Sequence, residues 1–183
     1  MCSRTQWVAI VTVVFMITVC NVATAQPPST AYEIGRSPIP EEISNWGTNI
    51  SPNGNGLPAG GATAAEGRRV YQLWCTRCHG ITGTEGPDDR LVGGRGALAS
   101  ESPRKTVGSY WPFATTLWDY VNRAMPFDQP GVLTPDEVYG SVAYVLFLND
   151  IIGEQERMDA SSVHAVRMPN RDGFVTDSRP DVH

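Results

Sequence analysis

The residues with the most chemistry to offer stand together as Cys75-Thr76-Arg77-Cys78-His79. Two thiols three positions apart have the reach to add across the two vinyl groups of one haem. A histidine directly after the second thiol brings its imidazole to the iron from the same side. Two other chemistries use paired cysteines. A redox dithiol precedes a helix, whose terminus lowers the thiol pKa within a βαβ unit; here the helical pattern comes before the motif. A structural zinc site needs a second pair of ligands, and the two remaining cysteines, Cys2 and Cys20, lie in an N-terminal leader. Covalent attachment of one haem c through Cys75 and Cys78, with His79 on the iron, is the reading that employs all three side chains.

An iron that passes electrons needs a sixth ligand that keeps it low-spin, and a methionine thioether is the usual soft choice, raising the potential. Met1 and Met16 fall in the leader, which leaves Met125, Met158 and Met168. Met125, stiffened by Pro126 and placed between two helices, is the expected iron ligand. Met168, also followed by proline, is its competitor, with Met158 and His164 behind. Pro87 is the candidate carbonyl for the other nitrogen of His79, which would fix the tautomer and make the ring a better donor. Tyr110 and Trp111 are candidates to wall the haem, and Arg95 and Arg123 to neutralise its propionates.

These residues need elements to hold them. Thr63-Ala64-Ala65-Glu66 is a capping box, in which the hydroxyl serves the backbone three residues on and the carboxylate reaches back. The helix that starts there puts Gly67, Val70, Tyr71 and Trp74 on one face and ends at Cys75. Gly67 costs about 1 kcal/mol against alanine inside a helix, which close approach of another helix would offset. A middle helix over roughly 116–124 presents Leu117, Tyr120, Val121 and Ala124, and stops before Pro126. Thr134-Pro135-Asp136-Glu137 is the second capping box, with proline at the favoured first position. It opens a helix carrying Val138, Val142, Val145, Leu146 and Asn149 that ends near Asp150.

The remainder is irregular, as 18 glycines and 14 prolines in 183 residues imply. Residues 1–25 read as a secretory signal peptide: Arg4, an apolar run from Trp7 to Val19, and Ala23-Thr24-Ala25 as cleavage site. The apolar run falls short of the ~20 residues that span a bilayer, so no permanent membrane anchor is expected, and the location is periplasmic. Residues 26–61 form an extended arm, with one short turn from Pro40 to near Trp46. Residues 62–150 form the haem domain, and 151–183 a C-terminal tail. The net charge of −5, with Lys105 the sole lysine, argues against a nucleic-acid partner.

The helix, Cys-x-x-Cys-His, late Met-Pro and final helix together resemble a class I cytochrome c, an all-α fold. In that family the first helix crosses the last through a glycine and aromatics, which maps here onto Gly67, Tyr71 and Tyr144. Four stretches beginning at Arg90, Lys105, Arg123 and Arg167 (Arg-Leu-Val-Gly-Gly, Lys-Thr-Val-Gly-Ser-Tyr-Trp-Pro, Arg-Ala-Met-Pro-Phe, Arg-Met-Pro-Asn-Arg-Asp-Gly-Phe) are similar to the SoxD-type cytochrome subunit of sulfane or sulfite dehydrogenases. That resemblance implies an electron-transfer subunit served by a molybdenum-cofactor dehydrogenase subunit, with a further acceptor such as another cytochrome downstream. Catalysis would then belong to the partner. This chain has one Cys-x-x-Cys-His where the larger members have two. A haem enzyme with an open sixth position, and a free-standing periplasmic shuttle, are the alternatives.

Overall fold

The computed structural model describes residues 35–46 and 49–179. The expected signal peptide and the arm up to residue 34, including Tyr32 and Ile34, lie outside them. The chain divides into two units, Met1–Pro40 and Glu41–His183. The short helix α1, Pro40–Trp46, occupies the stretch where the sequence predicts a turn.

Within the second unit, strand β1 (Gly61–Thr63) runs into helix α2 (Ala64–Trp74), followed by the single turn α3 (Thr76–His79). After a long irregular stretch come α4 (Ala114–Ala124) and α5 (Pro135–Leu148), then strand β2 (Arg157–Asp159) and a 3-10 turn at Val163–Ala165. Both capping boxes are complete. Thr63 Oγ1 accepts from Glu66 N while Glu66 accepts from Thr63 N, and Thr134 and Glu137 repeat the pair. Each box satisfies two donors that a helix N-terminus would otherwise leave unpaired.

Helices α2 and α5 cross where glycine meets glycine. A Cβ placed on Gly67 would lie 1.8 Å from the carbonyl oxygen of Gly140, so backbone touches backbone there. One turn on, the rings of Tyr71 and Tyr144 pack 5.1 Å apart. Helix α5 is enclosed almost all round: Val138 to Leu146 are buried without a break. Amphipathic spacing predicts one buried face; instead α5 runs through the middle of the core, where helices are apolar on every side. Helix α4 begins two residues earlier than predicted and turns Ala114, Thr115, Leu117 and Trp118 inward. Trp118 packs on Tyr139. Tyr120, expected on the buried face, is 47% exposed.

The segment after Asp150 belongs to the same core. Met158, Val163, Val166 and Met168 are all buried in the cluster formed by α2, α4 and α5. β2 pairs antiparallel with β1, Ala62 opposite Met158, which ties the chain after α5 to the entrance of α2. Residues 49–58 also lie on this unit. Ile50 and Leu57 pack against the core, Pro52 accepts a hydrogen bond from Thr115, and Pro58 accepts one from the Tyr139 hydroxyl. Asn149, where α5 ends, is a junction: its side chain donates to the carbonyls of Leu91 and Val145 and accepts from Gly93 N.

Candidate functional site

Helix α2 ends in the motif that offers chemistry. Cys75 N still donates to Tyr71 O at 2.8 Å, and the turn α3 closes with Cys78 N and His79 N both donating to Cys75 O. The two cysteines therefore sit on one helical turn, as their spacing requires, and neither is disulfide-bonded. Burial pushes the Cys75 thiol up to about 12, with Cys78 adding to the shift. That is the opposite of the lowered pKa a redox dithiol uses.

The carbonyl that meets His79 is that of Asp89, 2.8 Å from Nδ1, where the sequence points to Pro87. The reason lies in how the loop passes the motif. Gly86 lies directly on the backbone of Cys78 and His79, where a Cβ would come within 2.1 Å of Cys78 O, and Asp88 N donates to Cys78 O. Residues 86–88 are thus spent on backbone contact, and the next carbonyl arrives opposite the ring. A carbonyl only accepts, so Nδ1 carries the proton and Nε2 carries the lone pair. This is the tautomer that a metal-ligating histidine adopts when its second nitrogen is tied.

The loop itself is held from two sides. Glu85 accepts from the backbone and hydroxyls of Thr82 and Thr84, and these bonds pull its carboxyl down to about 2, the Thr82 hydroxyl contributing most. Tyr71 donates its buried hydroxyl to Gly80 O at 3.0 Å. Further along, Asn149 fixes Leu91 and Gly93, so the Asp89 carbonyl is braced on either side in sequence.

The methionines separate by burial. Met158 and Met168 are each 1% exposed within the core cluster, where their thioethers serve packing. Met125 is half-buried. It caps the C-terminus of α4, with extended backbone and its N–H donating to Val121 O. His164 is exposed on the 3-10 turn. An ion pair links the Met125 loop to the Cys-x-x-Cys-His turn, Arg77 Nη2 to Asp128 Oδ2 at 2.6 Å, a link that nothing in the sequence pattern announces.

The remaining candidates divide. Trp111 is half-buried at the edge of the core, edge-on to Tyr120. Tyr110 faces the end of the chain, between Lys105 and Phe174. Arg95 donates to Asn149 O at the end of α5, a favourable place for a cation at a helix C-terminus. Arg123 pairs with Asp119 one turn before it and reaches Asn49. Both arginines thus have partners in the protein itself. Among the described residues no three His, Cys, Asp or Glu side chains group as a metal site, and no helix is long and apolar enough to cross a membrane.

Residues 62–145 match the family described as cytochrome C oxidase, cbb3-type, subunit III. No curated protein matches the chain significantly. Among solved structures, a chain of the sulfane dehydrogenase SoxCD from Paracoccus pantotrophus superposes with a TM-score of 0.73 at 37% identity, over 82% of this chain and 75% of that one. The chain belongs to the class I cytochrome c family, in the group that resembles the SoxD-type cytochrome subunit of sulfane and sulfite dehydrogenases.

Proposed function

We propose that this chain is the single-haem electron-transfer subunit of a periplasmic dehydrogenase, taking electrons from a molybdenum-cofactor subunit that oxidises a sulfur compound and passing them to another cytochrome. The observation that carries the proposal is the turn at the end of α2, with His79 Nδ1 tied to the Asp89 carbonyl and the Nε2 lone pair left for a metal, in a chain 37% identical to one from a sulfane dehydrogenase.

The residues present suit haem c. Cys75 and Cys78 would add their S–H bonds across the two vinyl groups, each forming one C–S and one C–H bond with no external oxidant. His79 Nε2 and the Met125 thioether would be the atoms that hold its iron. Trp74, Leu91, Trp111 and Val121 are apolar, half-covered and set at the margin of the core, which is the surface that a large flat apolar group needs. When bound, haem supplies a centre that takes and returns one electron at a time. The protein's part is to hold both donors still, so that little rearranges between oxidation states. The Asp89 carbonyl keeps the His79 ring from rotating and leaves the Nε2 lone pair turned away from it. The glycine crossing of α2 on α5 sets where the attachment turn stands.

The test is reconstitution. Coexpressed with a molybdenum-dependent sulfur-compound dehydrogenase subunit from the same organism, the haem-loaded chain should copurify with it and become reduced when the sulfur substrate is added. A haem that stays oxidised beside an active dehydrogenase would contradict the proposal.

A further inference from the structure

Arg77 lies between the two thiols of the attachment turn, and Asp128 lies three residues beyond Met125. Their side chains meet across 51 positions of sequence, guanidinium Nη2 to carboxylate Oδ2 at 2.6 Å. The ion pair raises the affinity of Arg77 for its proton and lowers that of Asp128. Both side chains are substantially exposed, so neither serves the core.

What the pair joins matters more than its strength. The Met125 loop leaves α4 with Met125 N on Val121 O, and its other backbone bonds are local: Gln129 N donates to Pro126 O, and Val132 N to Gln129 O. Pro126 is buried and anchors the near end, while Phe127 beside it is 84% exposed. Among the described residues, Arg77–Asp128 is the hydrogen bond that ties this loop to a distant part of the chain, and that part is the segment carrying Cys75, Cys78 and His79.

We propose that Arg77 and Asp128 are positioning residues that hold the Met125 loop against the haem-attachment turn, so that the pair governs how often Met125 withdraws from the iron. The inference rests on the assignment of Met125 as axial ligand. Neither residue touches the cofactor's metal in this scheme. An exposed ion pair biases such a loop modestly, and its loss should raise the withdrawal rate on the order of two- to five-fold. The effect should shrink in high salt, which screens exposed charges.

The experiment uses the full haem-loaded chain in its oxidised form and saturating imidazole. The rate at which the methionine-to-iron charge-transfer band disappears is then limited by loop opening. Asp128→Asn and Arg77→Gln should each lose the band two- to five-fold faster than the parent at low salt, with the attached haem unchanged by mass. The double variant should be no faster than either single one, and the exchanged pair Arg77→Asp with Asp128→Arg should return toward the parent rate. Parent-like rates in both single variants, or additive acceleration in the double, would overturn the clamp. Met125→Ala run in parallel separates the two claims. If it binds imidazole no faster than the parent, the ligand assignment fails. If it binds much faster while the clamp variants match the parent, only the clamp fails.

Discussion

Substituting Gly67 by alanine probes the contact on which the position of the attachment turn depends. The added Cβ would stand 1.8 Å from Gly140 O, whereas real Cβ contacts essentially never fall below 3.0 Å. The helices must therefore part by at least about 1.2 Å, because both sides of the contact are backbone and no side chain can swing aside. Overpacking of this kind costs about 1–3 kcal/mol, and a rigid backbone collision belongs at the upper end. Loosening the Tyr71–Tyr144 pair adds roughly 0.5–1.5 kcal/mol. Better helix propensity of alanine returns about 1 kcal/mol. The net expectation is a loss of about 2.5–3.5 kcal/mol, or roughly 8–14 °C in Tm for a unit of this size. Gly140→Ala is the internal control, since its Cβ would meet Gly67 Cα at 3.0 Å and Ala62 Cβ at 3.3 Å, and it should cost less. Guanidinium unfolding followed by far-ultraviolet circular dichroism gives both midpoints, with unchanged m-values showing that stability alone has moved. Cys75 stands eight residues beyond Gly67, about 12 Å along the helix, so Gly67→Ala should also weaken the methionine-to-iron band. A variant as stable as the parent, or more so, would refute the idea that the two backbones are in contact.

Two further outcomes follow from the site. Met125→Ala should keep its covalent haem, lose the methionine-to-iron band, bind carbon monoxide when reduced and show a lower potential. Met168→Ala should keep the band and lose stability by about 2–5 kcal/mol, as a buried core methionine does; the reverse pattern would transfer the ligand role to Met168. Glu85 has a folded pKa of about 2 against an ordinary value of 4.5, so its contribution is present in full above about pH 4.5 and disappears as the pH falls toward 2. The gap in urea midpoint between the parent and Glu85→Gln should accordingly close over that range, and a gap independent of pH would show that the Thr82 and Thr84 bonds do not act through the carboxylate's charge.

What the sequence shows plainly are the local devices. Thr63 with Glu66 and Thr134 with Glu137 each settle a helix start within four residues, and both form as their spacing predicts. Cys75, Cys78 and His79 share one helical turn, as their spacing predicts, and Gly67 is legible because a mid-helix glycine asks for a reason. What fails to show are pairings between distant segments without a period. Gly140 carries no mark that makes it the partner of Gly67. Met158, Val163, Val166 and Met168 come from irregular chain, where burial leaves no helical or alternating pattern to read, so the stretch after Asp150 looks like a tail while it completes the core. The His79 partner is missed by two residues because the path of the loop depends on where Gly86 meets the backbone. On α4 Tyr120 turns outward, while Trp118, which the expected face does not include, is buried against Tyr139 of the next helix.

Electron transfer by this chain stands or falls on haem being joined to Cys75 and Cys78. The most direct measurement is the intact mass of the purified, unfolded protein from a host equipped for haem attachment, compared with Cys75→Ala/Cys78→Ala. The expected result is a mass excess of one haem that survives denaturation in the parent and is absent from the double variant. A parent chain with no haem mass, or a double variant that retains it covalently, would contradict the assignment.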